Sequence, residues 1–390
     1  MKPDYAALSL KAHAEAKGKF AITSKLPLET QDDLAIAYTP GVAAPCEAIV
    51  KDPELAYALT MKGNSVAVVS DGSSVLGLGN IGPMAGLPVM EGKAVLYKKY
   101  ANIDAVPIVL ASQKADDIVQ AVKMIAPTFG GIHLEDIAAP VCFEVERRLI
   151  EELDIPVMHD DQHATAIVVL AGLMNALKVV GKKIEEVGVV INGVGAAGIA
   201  IALLLAEAGV TKMKMVDSRG IIANGREGMN PEKDSLARRI NPEGVTGTLA
   251  DALRDADVFI GVSKPSLVTQ DMVKTMAPGA IIFAMANPTP EIMPDEAKAA
   301  GAAVVATGRS DFPNQVNNVL VYPGLFRGLL DARMRVLTPN MKLVLAEALS
   351  SVVDHPTADK ILPLIVDANP AERLAQSLRD YESTLPQITT

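Results

Sequence analysis

The chain lacks tryptophan and has few other aromatic residues, seven Phe and seven Tyr among 390. Proteins that bind single-stranded nucleic acid stack the bases on aromatic side chains, and little material for such stacking exists here. The formal net charge of −10 also disfavours binding to the phosphates of nucleic acid or of an anionic membrane surface. We therefore expect neither a nucleic-acid partner nor a membrane partner.

Cysteines and long apolar runs are scarce as well. The two cysteines, Cys46 and Cys142, lie far apart and form no CxxC pair, which fits a reducing cytosol and excludes a thiolate zinc site. The polar N-terminus has no apolar core of a signal peptide. No apolar stretch reaches the ~18 charge-free residues that a membrane span needs. These absences predict a cytoplasmic protein without a membrane span.

Acidic residues stand at the ends of two short apolar runs. One run ends in Glu135 and Asp136, and the other ends in Asp160 and Asp161. Both runs have the pattern of buried strands, which would deliver four carboxylates to one edge of a sheet. Their mutual repulsion favours a hard divalent cation such as Mg²⁺ or Mn²⁺. The alternative is that the acids cap the helices that follow, and the presence of two pairs favours the metal only slightly.

Strand-like and helix-like segments alternate along the chain, which indicates parallel sheets and an α/β fold. A length of 390 residues exceeds one ordinary core, so we expect two domains. Ligands of parallel sheets gather at the carboxyl ends of the strands, where both acidic pairs are placed. His133, His159 and His163 lie near these acids, and the absence of HExxH and of thiolates favours packing roles over zinc ligation.

Two residues of the first half have open alternatives. Tyr38 precedes a rigid Thr-Pro-Gly turn and is either a phenol held still for chemistry or a buried tyrosine bonded to the backbone. Lys93 follows Gly92 at the start of an apolar run. Its spacing favours a surface lysine with a buried stem. The alternative is a partly desolvated amine with a lowered pKa, which is what a general base needs.

A dinucleotide-binding fingerprint begins the second half. A strand over residues 187–192 leads into a glycine-rich turn and a helix, and a second strand ends at Asp217, about twenty residues beyond the last glycine. The pattern predicts a nicotinamide or flavin dinucleotide. Asp217 would accept hydrogen bonds from a ribose 2′-hydroxyl, which favours NAD, although Ser218 and Arg219 could accommodate the 2′-phosphate of NADP. The turn consists of Gly193, Val194, Gly195, Ala196, Ala197 and Gly198.

Asparagines stand near the same predicted edge. Asn287 begins an Asn-Pro-Thr-Pro turn after a strand over residues 280–286, where its amide could touch ribose or substrate. Asn317 and Asn318 precede an apolar helix. Asparagines at a helix start are N-caps by default. In an active-site cleft they could instead bind a carboxylate.

In this order, the motifs resemble the malic enzymes, and most closely the short bacterial form, over essentially the whole chain. The resemblance implies oxidative decarboxylation of (S)-malate to pyruvate and CO₂, with NAD or NADP and with Mn²⁺ or Mg²⁺. The motifs that carry it are Tyr38-Thr39-Pro40-Gly41-Val42-Ala43, Glu91-Gly92-Lys93, His133-Leu134-Glu135-Asp136, His159-Asp160-Asp161-Gln162, residues 193–198, Asn287-Pro288-Thr289 and Asn317-Asn318.

The resemblance also implies a role for each matched position. Lys93 matches the general base, Tyr38 the general acid, and Asp160 an acid beside the catalytic lysine. His163 stands where many relatives have Gln, and His159 where larger relatives have Asn, and both departures adjoin the metal ligands. The matched metal ligands are Glu135, Asp136 and Asp161. The matched substrate-binding amides are Asn287, which is also expected at the cofactor, and Asn318, with Asn317 beside it.

The resemblance finally implies an organisation. Residues 1–160 would form an α/β domain for substrate and metal, and residues 161–390 a Rossmann-type doubly wound parallel-sheet domain with C-terminal helices. We expect a homodimer, because the family implies one and the helix predicted over residues 5–18 needs a partner. Malate-to-lactate conversion, oxaloacetate decarboxylation and a non-catalytic dinucleotide-binding regulator stay open as alternatives. Amino-acid dehydrogenases share the two-domain plan but do not need the four carboxylates.

Overall fold

The computed structural model describes residues 4–75, 77–229 and 231–384. Its first half forms a four-stranded sheet from β1 (Ser65–Ser70), β2 (Asp104–Val109), β3 (Gly131–Leu134) and β4 (Val157–His159). The strands are parallel and lie in the order β2-β1-β3-β4. Every residue of β1, β3 and β4 is buried, as in parallel sheets that are covered on both faces.

Helices surround this sheet, and the helix that carries Lys93 is among those that were not predicted. Helix α5 contains five residues that are Gly or Pro, and such residues lower the intrinsic helix propensity. Packing of α5 on β1 and β2 compensates for that loss, and the helix carries Lys93. The helices are α1 (Tyr5–Ala16), α2 (Gln31–Ala37), α3 (Ala43–Lys51), α4 (Ala56–Leu59), α5 (Gly82–Ala101), α6 (Ala115–Ile125) and α7 (Val141–Glu152).

The second half forms a six-stranded sheet in the order β10-β9-β8-β5-β6-β7. Its strands are β5 (Gly188–Asn192), β6 (Lys212–Asp217), β7 (Gly220–Ile221), β8 (Val258–Gly261), β9 (Ile281–Ala284) and β10 (Val304–Thr307). All pair in parallel except the short edge strand β7. The strand order reverses at β5, which is the doubly wound arrangement, and dinucleotides bind at such a switch point.

The helices of the second half join the two sheets into one core. They are α8 (Asp160–Val180), α9 (Ala196–Glu207), α10 (Pro231–Ile240), α11 (Leu249–Leu253), α12 (Gln270–Lys274), α13 (Pro294–Ala299), α14 (Tyr322–Asp331), α15 (Pro339–Ser350) and α16 (Ala371–Thr384). One apolar cluster includes residues of β1, α5, α8, β5 and α14. Because α14 packs against α5, the second half of the chain reaches the first sheet. The domain boundary at 160/161 stays a prediction.

Helix α8 is the one described helix that is long and apolar enough to cross a membrane by length and composition. Most of it is buried inside the protein, where it packs against α9 and α15. That environment is typical of a core helix, whose apolar residues face neighbouring elements on all sides. Its first residues, Asp160 and Asp161, directly follow β4.

The N-terminal arm, residues 5–51, differs from the rest of the chain in its burial. Helices α1, α2 and α3 contain no buried residue. The arm is held near α5, where the backbone N–H of Lys19 donates to Glu91 at 2.9 Å. Exposed apolar residues in such number are typical of an interaction site. Its exposed apolar residues are Tyr5, Leu8, Leu10, Ile22, Leu26, Leu28, Leu34, Ile36, Tyr38, Val42 and Val50.

Candidate active site

The parallel pairing of β3 with β4 brings the two acidic pairs together. Leu134 is in register with His159, so the acids that follow each strand meet at the same sheet edge. Carboxylate oxygens of Glu135, Asp136 and Asp161 all lie within 4.8 Å of one another. The three residues predicted as metal ligands are therefore neighbours, and the geometry suits one cation.

Helix capping does not explain the first acidic pair. Helix α7 begins at Val141, its N-cap is Pro140, and no side chain caps it. Asp136 lies before that helix, in the left-handed region with φ 54°, and its backbone N–H donates to Asp161 Oδ2 at 3.3 Å. Asp160 and Asp161 do lie in the first turn of α8, but its N-cap is His159 and no side-chain cap bond forms there either.

The electrostatics of the acidic cluster are unfavourable without a cation. Burial, together with the charges of Glu135 and Asp161, raises the pKa of Asp136 to about 9. Burial and the charge of Glu135 raise the pKa of Asp161 as well. The Oδ2 atom of Asp136 is buried and has no hydrogen-bond partner among the described residues. Oxygen ligands in a buried, acid-rich site of this kind fit Mg²⁺ or Mn²⁺.

Lys93 on α5 reaches the same cluster from the other side. Its side chain is almost fully buried, so the surface position favoured by its spacing is wrong. Its Nζ lies 2.6 Å from Asp160 Oδ2 and 3.0 Å from Glu135 Oε1. The alternative of a lowered pKa is not what the neighbouring carboxylates favour. Burial alone would lower the pKa of Lys93, but the charges of Asp160 and Glu135 raise it well above its ordinary value.

The asparagine pair divides between the two expected roles. Asn318 donates a hydrogen bond from Nδ2 to Asp160 Oδ2, the oxygen that also contacts Lys93. Asn317 accepts a hydrogen bond from the backbone N–H of Val319 at 3.0 Å and caps a short 3-10 turn. The structure therefore brings Asn318 to the acidic cluster, whereas the side-chain oxygen of Asn317 is occupied by capping.

The glycine-rich turn has the geometry that dinucleotide binding requires. Gly193 has φ 126°, which other residues rarely adopt. A Cβ on Gly198 would lie 1.9 Å from the carbonyl oxygen of Gly193, whereas a Cβ on Gly195 would meet nothing within 4 Å. The third glycine thus permits close packing of α9 on the turn, and the second leaves an open face for a pyrophosphate. Val194, Ala196 and Ala197 complete the turn at the start of α9.

Two contacts show that this turn and Asn287 lie close to the carboxyl edge of the first sheet. Ala196 packs against the apolar cluster that contains Leu134 and Ile137 of the first half. Asn287, which follows β9, has its carbonyl oxygen 3.2 Å from where a Cβ of Gly77 would lie, and Gly77 belongs to the loop after β1. The carboxyl edges of the two sheets therefore adjoin, with Asn287 between them.

Asp217 ends β6 as predicted, but its carboxylate is already paired with basic side chains. Its Oδ2 accepts hydrogen bonds from Arg226 Nη2 at 2.6 Å and from Lys233 Nζ at 2.9 Å, and its Oδ1 accepts one from the backbone N–H of Arg219 at 2.9 Å. Burial alone would raise the pKa of Asp217, but these hydrogen bonds lower it to about 2. Neither partner was anticipated.

Tyr38 is the predicted site residue that the structure does not bring to the cluster. It lies in the N-terminal arm and is 66 % exposed, and its hydroxyl makes no hydrogen bond within the described ranges. The alternative of a buried, backbone-bonded tyrosine is therefore wrong. The tyrosines that do lie beside Lys93 and Glu135 are Tyr322, whose ring centroid is 4.5 Å from Lys93 Nζ, and Tyr97. The sequence analysis singled out neither.

His133 and His163 form side-chain hydrogen bonds near the acids, whereas both ring nitrogens of His159 are buried without a hydrogen-bond partner among the described residues. His133 Nε2 lies 2.5 Å from Glu135 Oε2. His163 Nε2 lies 2.9 Å from Glu146 Oε1, and Glu146 also accepts the backbone N–H of His159 at 2.7 Å. Glu146 is thereby a buried anchor for the junction between β4 and α8. No sequence signal marks Glu146, because α7 contains three other glutamates.

Comparisons with known proteins agree with this site. The chain matches the family described as "Malic enzyme, NAD binding domain" over residues 163–375. It matches "Malic enzyme, N-terminal domain" over residues 17–115 and 111–150. Together the two matches cover most of the chain.

Similar proteins match over nearly the whole chain. The bifunctional malic/malolactic enzyme of Bacillus subtilis is 54% identical, over 95% of this chain and 91% of its own length. The NAD-dependent malic enzyme of Geobacillus stearothermophilus is 53% identical, over 93% and 76% respectively. The crystal structure of malic enzyme from Pyrococcus horikoshii Ot3 matches with a TM-score of 0.92 at 46% identity, over 96% and 90%. A relative in Rhizobium meliloti is named an NADP-dependent malic enzyme, and the chain spans 46% of its length.

These matches confirm the resemblance and the α/β fold class that the sequence predicted, including the Rossmann-type second half. They are independent of the site geometry, which places Lys93 among the acids and the dinucleotide turn close to the same sheet edge. The chain therefore belongs to the malic enzyme family, as an enzyme that uses a nicotinamide dinucleotide.

Proposed function

We propose that this protein catalyses the oxidative decarboxylation of (S)-malate to pyruvate and CO₂, with reduction of NAD or NADP and with Mn²⁺ or Mg²⁺ bound. The observation that carries the proposal is the position of Lys93. Its buried amine lies between Asp160 and Glu135, at the edge of a cluster in which the carboxylates outnumber it. A binding module would need neither the lysine nor the cluster.

We propose Glu135, Asp136 and Asp161 as the residues that hold the divalent cation. Their oxygens are close together, and the buried, unpartnered Oδ2 of Asp136 supports this choice of ligands. When bound, the cation would supply Lewis-acid stabilisation of negative charge that develops on the C2 oxygen of malate. It would also offset the repulsion between two malate carboxylates and the acids of the site.

Lys93 is the proposed general base. It would accept the proton of the C2 hydroxyl while the hydrogen on C2 leaves as hydride to the nicotinamide, and the C3–C4 bond of the resulting oxaloacetate then breaks to release CO₂. Two carboxylates hold Lys93 as an ammonium. Engagement of Glu135 as a ligand would remove one of these charges and lower the pKa of Lys93. Asp160 would remain as the counter-ion of the ammonium that forms.

The amides of Asn287 and Asn318 are proposed to orient the malate carboxylates. Asn318 is placed by its hydrogen bond to Asp160, and one of the two Nδ2 hydrogens remains for a substrate oxygen. Asn287 lies at the meeting point of the two sheet edges. Asn317 supports this arrangement by capping the turn that carries Asn318.

Tyr38 is the proposed general acid that protonates C3, and a homodimer is proposed as the assembly in which it acts. The apolar N-terminal arm has no cover within the described chain, and a second copy would bury it. Because Tyr38 is exposed and lies away from Lys93 in its own chain, the arm of one subunit would have to present it to an active site in the dimer. We also propose a cytoplasmic location, which free Cys46 and Cys142 support.

Malate-to-lactate conversion is the second candidate, because the relative in Bacillus subtilis is named a bifunctional malic/malolactic enzyme. Oxaloacetate decarboxylation on the same site is a third outcome. In both cases the same residues would act, and the fate of the reduced cofactor and of the product would differ.

The deciding experiment follows absorbance at 340 nm with malate and Mn²⁺, with NAD or NADP, and quantifies pyruvate and lactate. We expect pyruvate to form in step with reduced cofactor. Lactate without free NADH would favour the malolactic alternative. Pyruvate from oxaloacetate but none from malate would favour the decarboxylase. Tight dinucleotide binding without turnover of either acid would favour the non-catalytic regulator.

The Lys93→Ala variant tests the base directly. General-base catalysis contributes about 10²–10⁴-fold, so we expect kcat to fall by that factor while Mn²⁺ binding persists. The surface variant Lys123→Ala, at a partly exposed position paired with Glu152, is the matched control. Near-normal turnover by Lys93→Ala would contradict the assignment.

A further inference from the structure

A chain of hydrogen bonds runs from the acidic cluster into the core. His133 Nε2 lies 2.5 Å from Glu135 Oε2, and His133 Nδ1 lies 2.7 Å from the hydroxyl oxygen of Tyr97. Tyr97 and His133 are fully buried, and Glu135 is 3 % exposed. None of these contacts involves the substrate side of the cluster, which is where Lys93 meets the other carboxylate oxygen, Oε1.

The direction of each hydrogen bond follows from the donors available. A carboxylate oxygen can only accept, so the His133 nitrogen beside Glu135 Oε2, which is Nε2, carries an N–H and donates it. A neutral imidazole then has Nδ1 as its acceptor, and the Tyr97 hydroxyl beside it donates to that nitrogen.

The surrounding packing holds the imidazole in this orientation. The His133 ring lies 5.6 Å from the Tyr97 ring and 5.5 Å from the Tyr322 ring, both edge-on, and 6.0 Å from the Phe326 ring. These aromatic residues lie on α5 and α14, the helices that pack together between the two halves of the chain. Since the ring is fully buried and Tyr97 is the partner of Nδ1, the Tyr97 hydroxyl determines its tautomer.

We propose that Tyr97 and His133 are positioning residues, which fix Glu135 for cation binding by holding its Oε2 atom and leaving Oε1 toward Lys93 and the cluster. Neither residue contacts substrate. A neutral imidazole that donates to a liganding carboxylate restricts its rotation and supports its charge, and loss of such an outer partner typically costs 10–100-fold in metal affinity or activity. This inference rests on the proposed role of Glu135 as a metal ligand.

The test measures Mn²⁺ affinity directly, by electron paramagnetic resonance of free Mn²⁺, on the purified full-length protein without substrate. His133→Leu removes both hydrogen bonds, and His133→Gln keeps an N–H donor for Glu135. We expect Kd for Mn²⁺ to rise about 10–100-fold in His133→Leu and to return to within about fivefold of the wild-type value in His133→Gln. With saturating Mn²⁺, kcat of His133→Leu should recover most of its loss, because the chemistry itself is not touched.

A milder pair of variants covers the case in which His133→Leu does not fold. Tyr97→Phe removes only the hydroxyl that fixes the tautomer. Tyr322→Phe removes an equally buried hydroxyl of the same aromatic group that has no hydrogen-bond partner among the described residues. We expect Tyr97→Phe to weaken Mn²⁺ binding at least threefold, and Tyr322→Phe to change Kd less than twofold. A merely structural role would move the two affinities alike, or neither.

The outcomes separate this inference from the function on which it rests. If the wild type binds Mn²⁺, Asp136→Ala loses it, and both Tyr97→Phe and His133→Leu bind with unchanged Kd, then the positioning role is refuted and the metal site stands. If the wild type binds no Mn²⁺, or Asp136→Ala binds it equally well, the proposed metal site itself is refuted. Failure of His133→Gln to restore affinity relative to His133→Leu would also overturn the donor role of His133.

Discussion

Asp136 and Asp217 both stand at the carboxyl edge of a parallel sheet, yet their surroundings are opposite. Asp136 follows β3 among other buried acids, and its pKa is raised to about 9. Asp217 ends β6 between Arg226 and Lys233, and its pKa is lowered to about 2. Aspartates at equivalent positions are thus surrounded by an excess of negative charge in the first sheet and by an excess of positive charge in the second.

The difference indicates which ligand each edge can take. At the first edge Glu135, Asp136, Asp160 and Asp161 face a single lysine, Lys93, so a divalent cation would complete the charge. At the second edge the two cations that hold Asp217 could also receive an added phosphate. Burial without compensation is costly for a charged group, and that cost is what binding of a cation would relieve at the first edge.

The largest expected effect comes from removing a carboxylate at the edge of the first sheet. Asp136→Ala should lower kcat/KM for malate with Mn²⁺ by about 10³-fold or more, because Lewis-acid stabilisation is worth several kcal/mol. Steady-state kinetics over a Mn²⁺ series measures it. Asp116→Ala, at an exposed aspartate paired with Arg148, is the control and should retain activity. Full Mn²⁺-dependent turnover in Asp136→Ala would refute its ligand role.

The next effect concerns Tyr38, which lies outside both edges in its own chain. Tyr38→Phe should lower kcat by about 10²-fold as the proposed general acid. If the arm of one subunit serves the other, mixing denatured Tyr38→Phe and Lys93→Ala chains and refolding them restores up to about a quarter of wild-type activity, since half of the C2 dimers carry one intact site.

The controls for this mixture are the two parent variants, each refolded alone. Both should stay inactive, because every site in such a dimer lacks either the Tyr38 hydroxyl or the Lys93 amine. No restoration in the mixture, with dimers present by light scattering, would contradict presentation of Tyr38 across the dimer. Unchanged kcat in Tyr38→Phe would remove it from the mechanism.

The contributions of the two aspartates to the free energy of unfolding should change in opposite directions with pH. An unfolded aspartic acid has a pKa of about 3.9. Because the folded pKa of Asp136 is raised, its contribution is present below that value and is lost as pH rises toward 9. Because the folded pKa of Asp217 is lowered, its contribution is present above about pH 4 and is lost as pH falls toward 2.

We therefore expect opposite effects of the same substitution in metal-free protein at about pH 8. Asp136→Asn should raise the free energy of unfolding by on the order of 2 kcal/mol, since an amide avoids the cost of keeping this carboxyl protonated at a pH far above its unfolded pKa. Asp217→Asn should lower it by about 1 kcal/mol, since charge-assisted hydrogen bonds are lost. Urea denaturation in the presence of a chelator measures both. Destabilisation by Asp136→Asn at this pH would contradict the account of the acidic cluster.

The smallest expected effect concerns the edge of the second sheet, where Asp217 and Arg226 lie. Arg226→Gln should lower kcat/KM for NADP about tenfold relative to NAD, because an arginine near this strand end accommodates the 2′-phosphate. The ratio of the two specificity constants, measured at fixed malate and Mn²⁺, reports it. Arg254→Gln, an arginine outside this group, is the control. An unchanged ratio would place 2′-phosphate discrimination elsewhere.

Strand-end chemistry was predictable from the sequence because it depends on local patterns. The runs before Glu135 and Asp160 are apolar and short, and the glycine turn at 193–198 follows a strand at a fixed spacing. Lys93 was not predictable in this way. Its helix, α5, is rich in Gly and Pro, so local propensity concealed both the helix and the burial of the lysine on it.

The contacts that the predicted residues make were equally unpredictable from the sequence. Tyr97 lies 36 residues from His133, and Asn318 lies 158 residues from Asp160. No periodicity connects such positions, because their contact depends on how α5 and α14 cross the sheet. Arg226 and Lys233 reach Asp217 from a loop and a helix whose paths the strand pattern does not specify.

By itself, the sequence determined the alternation of strands and helices, the edge at which the acids gather, and the dinucleotide turn, since these follow from side-chain period and backbone freedom. Only the tertiary structure decided which groups are charged and what they contact. Lys93 became a buried ammonium, Asp217 a clamped carboxylate, and Tyr38 an exposed phenol, because pKa and contact depend on burial and on partners that are distant in the chain.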